Sequence, residues 1–205
     1  MTIYDKLYVM KTNTFRTIIG KNPILFSAPH VFAHKRPQLS GAYKHGEPMT
    51  DVIVEQLCEE TNSFGITLIN ESDYDYNYHE EKYNPYKQKV REIVKKEGIK
   101  YFLDIHGLKD GNMYDIAIYY PTKFSKSMKL ARSLKKSIDK GVLRGINIMI
   151  FRFAADDQET LGEFVATQLR VPSIQIEIAR YIRESDKLRN ALIENISDYL
   201  KKEVV

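Results

Sequence analysis

Strand-like and helix-like runs alternate along this chain, which predicts an α/β fold with a mostly parallel or mixed central sheet and helices on both faces. Two further observations sharpen that reading. Apolar runs end in a histidine twice, in Pro23-Ile-Leu-Phe-Ser-Ala-Pro-His30 and in Tyr101-Phe-Leu-Asp-Ile-His106-Gly107. Open α/β sheets gather their chemistry outside the carboxyl ends of the strands. Ser173-Ile-Gln-Ile-Glu-Ile178 alternates polar and apolar residues with the period of a strand.

In chain order, residues 7–19 and 23–28 read as strands, the first rich in Thr, Val and Ile. A polar loop from His30 to Pro48 follows. Thr50 or Asp51 starts a helix to Asn62, with Val52, Ile53, Gln56 and Leu57 near one face. Gly65–Asn70 is a short strand, and 71–84 a tyrosine-rich loop. Pro85 suits the first turn of a helix that Gly98 closes. The Asp-Ile-His strand comes next, then a strand over Asp115–Tyr120 and a lysine-rich helix over 123–139. A strand at 146–153, a helix at 158–170, the strand Ser173–Ile178 and a helix from Ser185 complete the chain.

The 205 residues suit one domain with a substantial core, and 43% hydrophobic with 28% charged residues is ordinary for a globular protein. The net charge of +4 is spread through mixed-sign stretches such as Lys87–Lys96, too diffuse to argue for nucleic acid. Cys58 is the only cysteine, so no intrachain disulfide and no thiolate zinc cage can form. It reads as a small buried hydrophobe. Any metal must be held by histidine and carboxylate. Met1-Thr-Ile-Tyr-Asp-Lys6 lacks a basic start followed by an apolar core, and no apolar run reaches membrane-spanning length. The expectation is a cytoplasmic enzyme or binding protein acting on a small molecule, with neither nucleic acid nor membrane as partner.

Strand alternation puts Asp104 and His106 on one face, and Gln175 and Glu177 together opposite Ile174, Ile176 and Ile178. Two imidazoles and one carboxylate leave a coordination position open on zinc, as catalytic sites require. A further carboxylate nearby can take a proton from the activated water. Glu177 is the candidate, since a charge inside such an apolar run needs a partner or a function. Each residue also has a plainer role. The histidines could be hydrogen-bonded loop residues, Glu177 could pair with Arg180 or Arg152, and Asp104 could cap a strand end or orient an imidazole.

Ser27-Ala-Pro-His30, Glu47-Pro-Met-Thr-Asp51, Asp104-Ile-His-Gly107 and Gln175-Ile-Glu-Ile-Ala-Arg180 occur in the order seen in the N-formylglutamate amidohydrolase family, which the chain resembles over residues 25–182. That family is similar to zinc carboxypeptidases and related amidohydrolases. The resemblance implies a three-layer α/β/α sandwich of phosphorylase/hydrolase type, with a mixed sheet and one Zn2+ ion. It makes His30 and His106 ligands, with a carboxylate from the segment between them as the third. Glu47 is assigned there and Asp51 is its rival. Glu177 becomes the general base. The chain departs from the family after the third strand. Where an Asp-x-Asn-Arg segment is usual, Asp73-Tyr-Asp-Tyr-Asn-Tyr-His79 has no arginine, so specificity is expected to differ.

Arg152 and Arg180 are candidates to clamp a substrate carboxylate, or else to neutralise Asp156, Asp157 or Glu177. The tyrosines at 74, 76, 78, 83 and 86 either wall a pocket or pack the loop, and His34, His45 and His79 are ordinary loop histidines. The leading expectation is a zinc-dependent amidohydrolase cleaving an N-acylated amino acid or similar small carboxylate. The alternatives are a carboxypeptidase-like or ester-cleaving enzyme acting on a peptide or cell-wall fragment, and a non-catalytic binding domain on a hydrolase scaffold.

Overall fold

Continuous apolar runs, buried on both faces, force the central strands into the middle of a sheet. The computed structural model describes residues 14–36, 43–121, 124–153 and 159–203. Its main sheet has seven strands in the order β1-β5-β2-β6-β9-β7-β8. These are β1 (Phe15–Ile18), β2 (Asn22–Ala28), β5 (Ser63–Leu68), β6 (Tyr101–Leu108), β7 (Ile116–Tyr120), β8 (Ile148–Arg152) and β9 (Ser173–Ala179). Strands β5, β2, β6 and β9 run parallel. Strand β1 is antiparallel to β5, and β7 is antiparallel to β9 with β8 parallel to β7. The sheet is therefore mixed, with a parallel centre. A separate hairpin pairs β3 (His34–Lys35) with β4 (Tyr43–Lys44).

Helices cover both faces. Helices α1 (Thr50–Thr61), α3 (Ser125–Ile138) and α6 (Asp186–Glu203) pack on one, and α1 and α3 each contact α6. Helix α2 (Pro85–Lys96) and helix α4 (Leu161–Gln168) lie on the other. There the Tyr86 hydroxyl donates to the Ile66 carbonyl at 2.7 Å and meets Ser27, and the Ser173 hydroxyl donates to the Gly162 carbonyl. Pro85 begins α2, and the Asn84 side chain caps it by accepting from the Lys87 N–H. Thr160 and Glu163 form a capping box on α4. The helix expected from Ser185 is α6, starting at Asp186, and a short helix not expected from sequence, α5 (Arg180–Glu184), precedes it.

The buried face of α1 is Thr50, Ile53, Val54, Leu57, Cys58 and Thr61. Val52 and Gln56, expected inward, lie at its margin. Burial pushes the Cys58 thiol up to about 12, in keeping with a packing role. The expected strand at 7–13, residues 37–42 of the polar loop, Asp156, Asp157 and the helix start at 158 lie outside the described residues. Among the described residues no helix is long and apolar enough to cross a membrane.

Candidate metal centre

The registers fix what shares a face. Asp104 lies beside Gln175, and His106 beside Glu177, on adjacent parallel strands. Neighbouring strands are about 4.8 Å apart, so the four polar side chains leave the sheet as one group. His30 arrives two residues past the end of β2, on the other side of β6. Glu47 is brought in by its loop, where its N–H donates to the His30 carbonyl at 2.8 Å. Met49 then turns the chain through a left-handed conformation (φ 71°) into α1. Buried Arg183 of α5 ties this segment down, donating through Nε to the Ile178 carbonyl at 3.0 Å and through Nη1 to that of Pro48.

Glycine at 107 is a steric requirement. A Cβ there would come within 2.9 Å of both the Arg183 Cζ and the Glu47 Cβ. Without one, the Gly107 N–H reaches Glu47 Oε2 at 2.9 Å.

Each imidazole lies between two carboxylates. His106 Nε2 is 3.0 Å from Asp104 Oδ2, and His30 Nε2 is 2.8 Å from Asp75 Oδ1. These are hydrogen-bond distances, and with each Nε2 held by its carboxylate the Nδ1 of each ring turns inward. On that inward side, His106 Nδ1 is 3.3 Å from Glu47 Oε2 and His30 Nδ1 is 3.4 Å from Glu47 Oε1. Charge-assisted hydrogen bonds are shorter, about 2.7–2.9 Å. Two ligands each about 2.1 Å from a tetrahedral zinc ion stand about 3.4 Å apart. The donor atoms of His30, Glu47 and His106 all lie within 4.8 Å of one another. The donor set fits a divalent ion of zinc's size.

His30, His34 and Asp75 also cluster closely enough to hold an ion, but their electrostatics oppose it. Asp75 Oδ1 is already bonded to His30, and Asp75 Oδ2 accepts from Arg36 Nε at 2.9 Å. A cation there would adjoin a guanidinium. His34 instead stacks flat on His30, ring centroids 3.9 Å apart, and orients it.

The charge balance around the centre is consistent with a cation. Burial pushes both imidazoles down, yet carboxylates override it: Asp75 and Glu47 raise His30, and Asp104 with Glu47 raises His106 well above the ordinary value. Burial pushes Glu47 up, but His106 and His30 hold it well below the usual range. Burial raises Glu177, and Glu47 adds to that while His106 opposes it. Burial and the adjacent His30 push His34 down to about 4, so its ring is neutral.

The structure thus brings together His30, Glu47, His106, Asp104 and Glu177. Gln175 donates to Glu177 Oε1 at 3.0 Å. The rival ligand Asp51 sits in the first turn of α1 and is not part of the cluster.

Neither arginine joins the site. Arg180 is exposed and donates to Glu184 at 2.6 Å. Arg152 pairs with Tyr120 in register, whereas Tyr119 pairs with Gln175. By strand alternation Arg152 therefore leaves the face opposite Glu177. Because β7 and β8 run against β6 and β9, the end of β8 also points away from the histidines.

Residues missed from sequence are Asp75, Arg36 and Arg183, together with the stacking role of His34. Only Asp75 had a signal, the Asp75-Tyr-Asn77 pattern within the tyrosine-rich loop. His79 helps fold that loop by accepting from the Asp75 N–H at 3.0 Å, while His45 is exposed. Of the tyrosines singled out, Tyr76 in the loop and Tyr86 in α2 are buried, and their rings stack at 5.5 Å.

No family model matches the chain, and no curated protein matches it. Solved structures do. An N-acetylmuramoyl-L-alanine amidase of Nostoc punctiforme aligns at 18% identity and TM-score 0.54, over 90% of this chain and 97% of that one. A succinylglutamate desuccinylase of Vibrio parahaemolyticus aligns at 12% identity and TM-score 0.62, over 92% of this chain and 62% of that one. A metallo-carboxypeptidase of Burkholderia cenocepacia aligns at 12% identity and TM-score 0.60, over 91% and 59%. The chain thus spans about three-fifths of the latter two. It shares their α/β fold.

Proposed function

We propose that this protein is a zinc-dependent amidohydrolase that cleaves the amide bond of an N-acylated amino acid or similar small carboxylate. The observation that carries the reading is the inward spacing of 3.3 and 3.4 Å between Glu47 and the two imidazoles, beside Glu177. His30, Glu47 and His106 would hold one ion, and Asp75 and Asp104 orient the imidazoles. When bound, the ion supplies Lewis acidity toward a water and toward the substrate carbonyl. Glu177 accepts the proton that the attacking water loses. It then returns that proton to the nitrogen that leaves, while Gln175 holds its Oε1 in place.

A second reading keeps the site and changes the substrate to a peptide or cell-wall fragment. The N-acetylmuramoyl-L-alanine amidase that aligns along nearly its whole length favours it. Elemental analysis of the purified protein should find one zinc per chain. Assay of acylated amino acids against muropeptides then separates the readings. A chain that binds no stoichiometric metal would instead be a binding domain on this scaffold.

A further inference from the structure

The small hairpin beside the metal centre has two unlike faces. His34 is opposite Lys44, and Lys35 is opposite Tyr43. Directly opposed residues share a face, so His34 and Lys44 project together. The outer face is electrostatically closed. Lys35 pairs with Asp73 at 3.1 Å, and the Tyr43 hydroxyl donates to the same carboxylate at 2.6 Å. The inner face rests on the site through the His34–His30 stack.

Arg36 belongs to the inner face as well, since its Nε contacts the Asp75 carboxylate that His34 and His30 also face. Its guanidinium lies over the Tyr78 ring, 4.7 Å from the centroid. Lys44 is half-buried and forms no ion pair among the described residues. Burial and the Arg36 charge both push its ammonium down, while Asp75, Glu47 and Glu177 pull it up. Those carboxylates are engaged elsewhere: Glu47 between the imidazoles, Asp75 with His30 and Arg36, Glu177 with Gln175. Two neighbouring cations on a partly desolvated face repel each other until an anion comes between them.

We propose that Arg36 and Lys44 form the pocket that reads the free carboxylate of the substrate, the β3–β4 hairpin presenting both cations beside the His30–Glu47–His106 centre. This rests on the amidohydrolase reading and narrows it to substrates bearing an anion next to the scissile amide. Arg36, with only its Nε engaged among the described residues, offers its remaining N–H groups to one carboxylate edge, and Lys44 adds a point charge. The two arginines expected in this role, Arg152 and Arg180, lie elsewhere.

The test compares N-acetyl-L-leucine with its primary amide, which differs only in that charge. By calorimetry on the zinc-loaded Glu177→Gln variant, expected to turn substrate over far more slowly, the acid should bind about 10- to 100-fold tighter than the amide. Lys44→Met in that background should bring the ratio close to one, and Lys44→Arg should restore it. Equal binding of acid and amide before any change at Lys44 overturns the proposal, as does a ratio that survives Lys44→Met. If wild type hydrolyses none of the acylated amino acids assayed, the amidohydrolase reading fails, yet the calorimetric ratio still decides the pocket. In an active enzyme the same loss should appear in KM for the acid rather than in kcat.

Discussion

His106 takes its supporting carboxylate from Asp104, two residues earlier on its own strand, whereas His30 takes its from Asp75, forty-five residues away in a loop. The hydrogen bonds are nearly alike, 3.0 and 2.8 Å. The assemblies behind them are not. Strand alternation alone puts Asp104 and His106 on one face, so that half of the site forms when β6 does. The His30 half needs β2, the hairpin and the tyrosine-rich loop to dock together. That loop is held by the Asn77 side chain accepting from the Leu161 N–H and by Asn84 donating to the Tyr76 carbonyl. One half is local; the other depends on tertiary contacts.

The largest expected effect ignores the difference between the halves, because the proposed base, Glu177, lies near both imidazoles. Glu177→Gln should lower kcat by about 10²- to 10⁴-fold with zinc retained, checked by steady-state kinetics and elemental analysis on the same sample. Near-normal turnover would remove Glu177 as the base.

The comparison itself is tested by Asp75→Asn against Asp104→Asn. Each should weaken zinc binding by about 10- to 100-fold, read by chelator competition. Asp75→Asn should also lower Tm more, since it strips a partner from Arg36 as well as His30. Equal losses of Tm would mean that the His30 half is as self-contained as the other.

Gly107→Ala attacks the junction of the halves, where the new methyl meets Glu47 and Arg183 at 2.9 Å. A destabilisation of about 1–3 kcal/mol and weaker zinc binding are expected from thermal melts and metal titration.

A smaller effect comes from pH in the metal-free protein. Burial raises Glu177 in the folded state, so the folded chain keeps a proton that the unfolded chain has already released. Stability contributed by this group is therefore lost as pH rises from the ordinary glutamate value through the raised one. Glu177→Gln should remove that part of the decline in Tm. A pH profile identical to wild type would contradict the raised value.

The smallest effect is expected at Arg152→Ala, on the far face. It should leave KM unchanged and stability within about 0.5 kcal/mol, and a raised KM would return Arg152 to the substrate.

Several parts of this protein were readable from sequence because they depend on neighbours in the chain. Asp104 with His106, and Gln175 with Glu177, follow from a period of two. The helices at Thr50 and Pro85 follow from where the turn and capping residues fall. Nothing of that kind specifies that Asp75 should reach His30, that His34 should stack on it, or that Arg36 should complete the cluster. Those contacts exist only once a loop and a hairpin close over the sheet.

The expectation for Arg152 failed for a related reason. Periodicity gives the faces of β8 but not its direction, and direction decides which end of the sheet a strand terminus reaches. The sequence by itself determined the alternation of elements and the polar residues poised at strand ends, since these are properties of short segments. Only the tertiary structure decided which carboxylate stands between the imidazoles and which one backs His30, because those pairings join residues that backbone geometry leaves independent until the layers pack.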